Sequence, residues 1–186
     1  KDNKFEFKEY NYIPGFIKII NEILDNSIDV YVKSGGKSAN QISIDITDDS
    51  VSIKDNGFGI PVEKNDNGEW LPYVCWGKAM AGSNFEDDDN QGQIGMNGIG
   101  SFATVVFSKE FIGISDDGKN KIKVTFKDNA NTHTVRELTS SKRGVESTFK
   151  PDLERFGLTK IDDSHKQLIY QRLLNLAVTY PDIKFT

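Results

Sequence analysis

The sequence predicts an α+β fold: a two-layer sandwich in which helices cover one face of a mixed, mostly antiparallel sheet. Three patterns predict it. Apolar side chains recur at helical spacing from Phe16 to about Val32. Residues 41–54 read as two alternating strands around a polar turn, and residues 110–149 as four more strands separated by Gly, Asp and Asn. A second long helical pattern then follows. With no internal repeat and no low-complexity tract, residues 1–186 are expected to form a single domain.

The elements follow in order. Residues 1–13 are polar and aromatic without a clear period. Pro14-Gly15 opens the first helix, where a fixed φ suits the first turn. Phe16, Ile19, Ile20, Ile23 and Leu24 give it one apolar face, and Ser34-Gly35-Gly36 stops it. Gln41–Thr47 and Val51–Lys54 alternate apolar and polar, a hairpin with one buried face. The second strand runs into Asp55-Asn56-Gly57-Phe58-Gly59, a loop that calls for unusual backbone angles. Leu71–Met80 is expected as a short helix, residues 82–100 as a long Gly-, Asp- and Asn-rich loop, and Ser101–Ser108 as a helix. Strands are expected at 111–114, 121–126, 133–138 and 145–149. The final helix spans about 163–180, with Leu168, Ile169, Leu173, Leu176 and Ala177 on its apolar side.

Composition narrows the class. The chain has 23 basic and 28 acidic residues, a net charge of −5 and 37% hydrophobic residues. That excludes a disordered chain, a collagen-like repeat and a disulfide scaffold. No apolar run approaches the ~18 residues of a membrane helix, so no membrane partner is expected. A lone cysteine, Cys75, has no partner for an internal disulfide, which points to a reducing, intracellular setting. The acidic balance argues against gripping DNA over the whole surface, but leaves room for a local basic patch. Two histidines and one cysteine make no transition-metal site. The chain opens on Lys, and Asp182–Thr186 reads as a strand interrupted partway; more protein is expected on either side.

Three segments can carry chemistry. Glu22 and Asn26, four apart, share one helix edge; a carboxylate there can polarise water and an amide oxygen can hold a hard cation. An ordinary polar helix edge has the same composition. Asp55 stands at a strand end before Gly57 and Gly59, where a partly buried carboxylate needs a donor such as the exocyclic amine of a purine. A capped glycine turn reads alike. Gly95, Gly98 and Gly100 permit a tight main-chain cradle leading into a helix start, an arrangement suited to phosphate. It is not a P-loop, since the Gly-Lys-Ser/Thr ending is absent, and no βαβ unit surrounds it.

In this order and spacing, the acidic helix, the Asp-Gly-x-Gly strand end and the Gly-rich loop resemble the Bergerat-fold (GHKL) ATPases, the superfamily of gyrase, the large heat-shock chaperone, histidine kinases and MutL. Leu71-Pro72-Tyr73-Val74-Cys75-Trp76-Gly77, Ala81-Gly82-Ser83-Asn84-Phe85 with its acidic run 86–89, Gly95–Gly100 and Ser147–Phe156 resemble the type IIA DNA topoisomerases. The resemblance spans Tyr12 to Thr186 and is closest to the eukaryotic and T-even phage enzymes. It implies an ATP-binding, ATP-hydrolysing domain whose nucleotide cycle closes a dimeric clamp for DNA strand passage.

Carried over residue by residue, the resemblance makes Glu22 the general base and Asn26 the Mg2+ ligand, with Asp29 supporting the pocket. Asp55 would accept from the adenine amine, Gly59 and Ile60 would lie close to the base, and Asn56 beside adenine and ribose. Ser83 and Asn84 would contact the ribose or α-phosphate. Gly95, Asn97, Gly98, Ile99, Gly100 and Ser101 would wrap the β- and γ-phosphates. Thr148 completes the nucleotide-binding set. The implied cofactors are ATP and Mg2+; the implied partners are DNA, a second copy of the enzyme, and a cleavage subunit or domain. The location would be cytoplasmic, or nuclear in a eukaryote. The sequence departs from the family pattern at Met96 and Phe102, where basic residues are common, and at Gly144-Val145, where Gly-Thr is usual. The family's γ-phosphate lysine sits in a separate transducer domain, expected outside this chain together with the DNA-cleavage domain. A nucleotide-gated dimerisation module with little turnover and a MutL-like repair protein are the alternatives. The Ser-Asn-Phe stretch and the long loop speak against the second.

Overall fold

The computed structural model describes residues 9–79 and 99–186. Chain order is α1 (Pro14–Lys33), β1 (Gln41–Ile46), β2 (Val51–Asp55), α2 (Leu71–Gly77), α3 (Gly100–Val106), β3 (Ser108–Asp116), β4 (Lys121–Lys127), β5 (Thr132–Leu138), β6 (Gly144–Pro151), a 3-10 turn (Leu153–Phe156), α4 (Asp163–Thr179) and β7 (Lys184–Phe185). The expected α+β sandwich is what forms. Element ends shift by a few residues: the helix expected to reach Met80 ends at Gly77, and Ser108 already belongs to β3.

Among the described residues, seven strands lie in the order β5-β4-β3-β6-β2-β1-β7. All pairings are antiparallel except β1 with β7. β3, β4 and β5 run as a meander, and β6 leaves it to fill the gap between β3 and the β1–β2 hairpin. Burial explains the choice. β6 carries Ser147 and Phe149 into the core and needs a strand on each side. β5, with Arg136 and Glu137 and no buried residue, suits an edge.

Register aligns the inner face. Val51, Phe149, Phe111 and Phe126 lie in one row across β2, β6, β3 and β4. Over this face pack Phe16, Ile20, Leu24 and Ile28 of α1, all fully buried. The start of α1 is anchored by a residue the periodicity did not flag. His165 of α4 is buried; its Nε2 accepts from the Ile13 amide at 3.1 Å, its Nδ1 lies 2.7 Å from the Asp162 carboxylate, and its ring stands edge-on to Phe16. Asp162 also caps α4 by accepting from the His165 amide at 3.0 Å.

Two sites on β3 have clear consequences. Gly113 lies directly beneath Trp76 of α2, and a Cβ there would come within 2.5 Å of the indole. Gly113→Ala should therefore destabilise the fold by about 1–3 kcal/mol through overpacking, read as a lower urea midpoint. At the other end of β3, burial of Asp116 alone would raise its carboxyl. Hydrogen bonds from the Ser141 amide, the Ser140 hydroxyl and the Gly118 and Lys142 amides outweigh this and hold it at about 2. A depressed carboxylate contributes stability above its unfolded value of 3.8 and loses it as pH falls towards about 2. Asp116→Asn should lower stability at neutral pH and flatten the acid limb between about pH 4 and 2, measured as unfolding midpoints across that range.

Candidate functional site

Helix α1 is turned by two polar residues on its buried side. Asp25 accepts from Arg172 of α4 at 2.9 Å, and Ser27 donates its hydroxyl to Asp55 Oδ2 at 2.8 Å. With those two fixed, Glu22, Asn26 and Asp29 fall on one stripe at i, i+4 and i+7. Glu22 and Asn26 look towards α3. Thr104 of α3 donates to the Ile19 carbonyl at 2.8 Å and locks the two helices together.

The first residues of α3 therefore press on the α1 stripe. Gly100 lies so close to Glu22 that any Cβ would overlap the carboxylate. A side chain at this position would displace the Glu22 carboxylate. Glu22 is also paired with Lys18 one turn earlier. Beside it, Asn26 donates through Nδ2 to the Ser101 hydroxyl at 2.8 Å, which leaves its Oδ1 directed elsewhere. Ile99 precedes the helix and is exposed.

Asp55 forms the floor at the end of β2, on the inner face. Its Oδ1 accepts from the Gly57 amide at 2.7 Å. Burial pushes its carboxyl up, opposed by hydrogen bonds from Ser27 and from the Gly57 and Val145 amides. The loop that follows is fastened to the far end of β3. Ser115 Oγ accepts from the Ile60 amide and donates to the Ile60 carbonyl, both at 2.7 Å. Asp117 accepts from the Val62 amide at 2.9 Å. Gly59, at φ 78°, packs on the Asp116 carbonyl with no room for a Cβ. Its glycine is thus explained by backbone packing.

The structure brings Glu22, Asn26, Gly100 and Ser101 together and sets Asp55 beneath α1, with Asp29 partly buried on the same stripe. Two expected site residues have other work. The Asn56 amide accepts from the Gln41 backbone and donates to Asn40, both at 2.9 Å, so it ties the loop to β1. Thr148 points to the opposite face of the sheet, where its hydroxyl meets Ser52 at 2.8 Å; strand alternation sends Ser147 inward instead. Ser83, Asn84, Gly95, Asn97 and Gly98 lie outside the described residues. Ser27, Thr104 and Ser115 escaped the sequence reading. Ser27 follows Asn26 directly, and its small hydroxyl on the apolar side of α1 was the available signal. Among the described residues no group of three or more His, Cys, Asp or Glu could hold a metal, and no helix is long and apolar enough to cross a membrane.

An acceptor carboxylate under a helix, with a second carboxylate and an amide facing a helix start, suits a ligand carrying an amine at one end and anionic oxygens at the other. No family model matches the chain. The DNA topoisomerase large subunit of Enterobacteria phage T4 is 36% identical over 97% of this chain, and DNA topoisomerase 2 of Plasmodium falciparum 33% identical over 95%. The chain spans 36% of the first and 13% of the second. Among solved structures, the ATPase region of Saccharomyces cerevisiae topoisomerase II bound to ICRF-187 (dexrazoxane) superposes with a TM-score of 0.79 at 28% identity, covering 89% of this chain and 45% of that one. The ATPase and transducer domains of Balamuthia mandrillaris topoisomerase II give 0.75 at 28% identity, covering 84% and 42%. Sequence identity along nearly the whole chain, joined to a shared fold, makes this protein a member of the type II DNA topoisomerase family, in its phage T4 and eukaryotic branch, at the ATPase region.

Proposed function

We propose that the chain binds ATP between α1, α3 and the Asp55 loop and hydrolyses it, and that in the complete enzyme this cycle closes a dimeric clamp on DNA. The observation that carries the reading is the contact of the Glu22 carboxylate with Gly100 at the opening of α3. A general base belongs where the terminal phosphate of a bound nucleotide would meet water.

In this reading Asp55 accepts from the adenine amine through the lone pairs left free by Ser27 and Gly57. Asp29 supports the pocket wall, and Ile60 lies along the base. The backbone of Ile99, Gly100 and Ser101, with the segment carrying Ser83, Asn84, Gly95, Asn97 and Gly98, receives the phosphates. Glu22 takes a proton from water as its oxygen bonds to the γ-phosphorus; the bond to the β–γ bridging oxygen breaks, giving ADP and phosphate. Asn26 fits a hard cation, because its Nδ2 is given to Ser101 and its Oδ1 is the remaining donor. Mg2+, when bound there, would neutralise phosphate oxygens. The relatives are longer than this chain, so DNA, the second copy, and the transducer and cleavage domains enter as partners of the complete enzyme. Val145 in place of the family's threonine leaves the base with one hydroxyl fewer.

Two substitutions test this reading. Glu22→Gln should cut ATP turnover at least ~100-fold while a non-hydrolysable analogue binds within about threefold of wild type. Loss of analogue binding in calorimetry would remove the general-base role. Asp55→Asn should weaken ATP roughly tenfold or more, and GTP much less, because an amide replaces one acceptor oxygen with a donor. Equal losses for both nucleotides would argue against the amine contact.

A further inference from the structure

The sheet face turned away from the helices holds a cavity of about 350 Å3 at the end where β2 and β3 finish and β6 begins. Lys54, Lys121, Lys142, Arg143 and Lys184 border it, in a chain whose net charge is −5. Two of these cations are held by neighbouring acids. Lys54 pairs with Glu146 at 3.3 Å, and Lys121 lies 3.8 Å from Asp116. Lys142, Arg143 and Lys184 are exposed and pair with no carboxylate among the described residues.

The unpaired cations stand apart. Lys142 and Arg143 lie in the loop entering β6, and Lys184 lies on β7. Strand order places β6 and β7 three steps apart, about 14 Å at ~4.8 Å per step. No single phosphate or carboxylate reaches both. The floor is a registered row from β1 to β3: Ser43, Lys54, Glu146 and Ile114. It offers a hydroxyl, an ion pair neutral within itself and an aliphatic side chain, not a continuous run of positive charge. One end of the groove is set in advance. Asp116 accepts from the Ser141 and Lys142 amides at 2.8 and 3.1 Å, and the Arg143 side chain lies across Gly118, where a Cβ would strike it.

We propose that this groove seats an extended acidic segment of a partner protein, with carboxylates at its two ends and uncharged side chains between them. An extended chain advances ~3.4 Å per residue, so roughly five residues carry a carboxylate from Lys184 to Lys142 and Arg143. The middle residues cross the Lys54–Glu146 pair, where a further acid would meet the Glu146 carboxylate. Ser141 accepts from Lys121 at 3.0 Å and keeps its own proton to donate to a main-chain carbonyl of the segment. A polypeptide can space its charges to match this uneven lining. A uniformly charged polymer would press its anions against Glu146.

The test is fluorescence anisotropy of the full chain with a labelled peptide, Asp-Glu-Leu-Gln-Leu-Glu-Asp, between about 50 and 200 mM salt. Wild type should bind it, more weakly as salt rises. A peptide of the same composition with all four acids at one end should bind several-fold more weakly, because it cannot reach both groups of cations. Lys142→Glu with Arg143→Glu should weaken the spaced peptide about tenfold, and Lys184→Glu, on a different element, about threefold, with thermal midpoints unchanged. Absence of binding at the lowest salt overturns the proposal, as does equal binding by wild type and both variants. Equal affinity for the two peptides would reveal a diffuse charge effect and also overturns it. So does displacement of the peptide by a DNA duplex at constant ionic strength, with the duplex weakened by the same variants.

Discussion

Ser27 donates a hydrogen bond to Asp55 across the seam between helix layer and sheet layer, and much of the molecule is arranged around that contact. The hydroxyl fixes the rotation of α1, so the stripe of Glu22, Asn26 and Asp29 cannot turn into the core. It also satisfies one oxygen of a carboxylate that burial would otherwise penalise heavily. Asp25, bonded to Arg172 on the far side of the same helix, prevents rotation in the other direction. Polar pairs of this kind contribute modestly to net stability, but leaving either partner alone would be costly. Their effect is orientation: they make the position of that stripe a property of the core.

The α1–α3 contact depends on that orientation. Because Thr104 bonds the Ile19 carbonyl and Gly100 sits against Glu22, the start of α3 is set by α1 more than by its own capping, for which no side chain is supplied. A seven-residue helix without a cap is marginal by itself. Docking on a twenty-residue neighbour is what holds it.

Much of this was legible in the sequence, for identifiable reasons. The apolar spacing of Phe16 to Leu24 and the strict alternation of Gln41–Ile46 are strong local signals, and both elements form where expected. Glu22, Asn26 and Asp55 were singled out by residue type and spacing; the first two lie against the start of α3 and the third ends β2. What failed to show was the product of tertiary pairing. The return of β6 to the middle of the sheet depends on burial on both of its sides, which a strand read alone cannot display. Thr148 lies one residue from an inward position, and a period of two sends it to the outer face beside Ser52. Asn56 looks like a ligand group in a glycine loop, yet the Gln41 backbone amide and the Asn40 side chain engage its amide. His165 was hidden because a helix pattern scores imidazole as polar, whereas here it fills a core position and bonds the chain that starts α1.

Trp76 resting on Gly113 has a consequence for how this protein can be observed. The indole lies on bare backbone, sealed from water, three residues before the end of the described N-terminal segment. The second indole, Trp70, precedes α2 beneath the Lys64 ammonium at 5.0 Å. The chain thus carries its two indoles in unlike surroundings at the two ends of one short helix, and a buried indole emits further to the blue than a wetter one. A shift of α2 against the sheet changes the blue component first, so the molecule holds its own optical gauge beside the segment that bears Ser83 and Asn84.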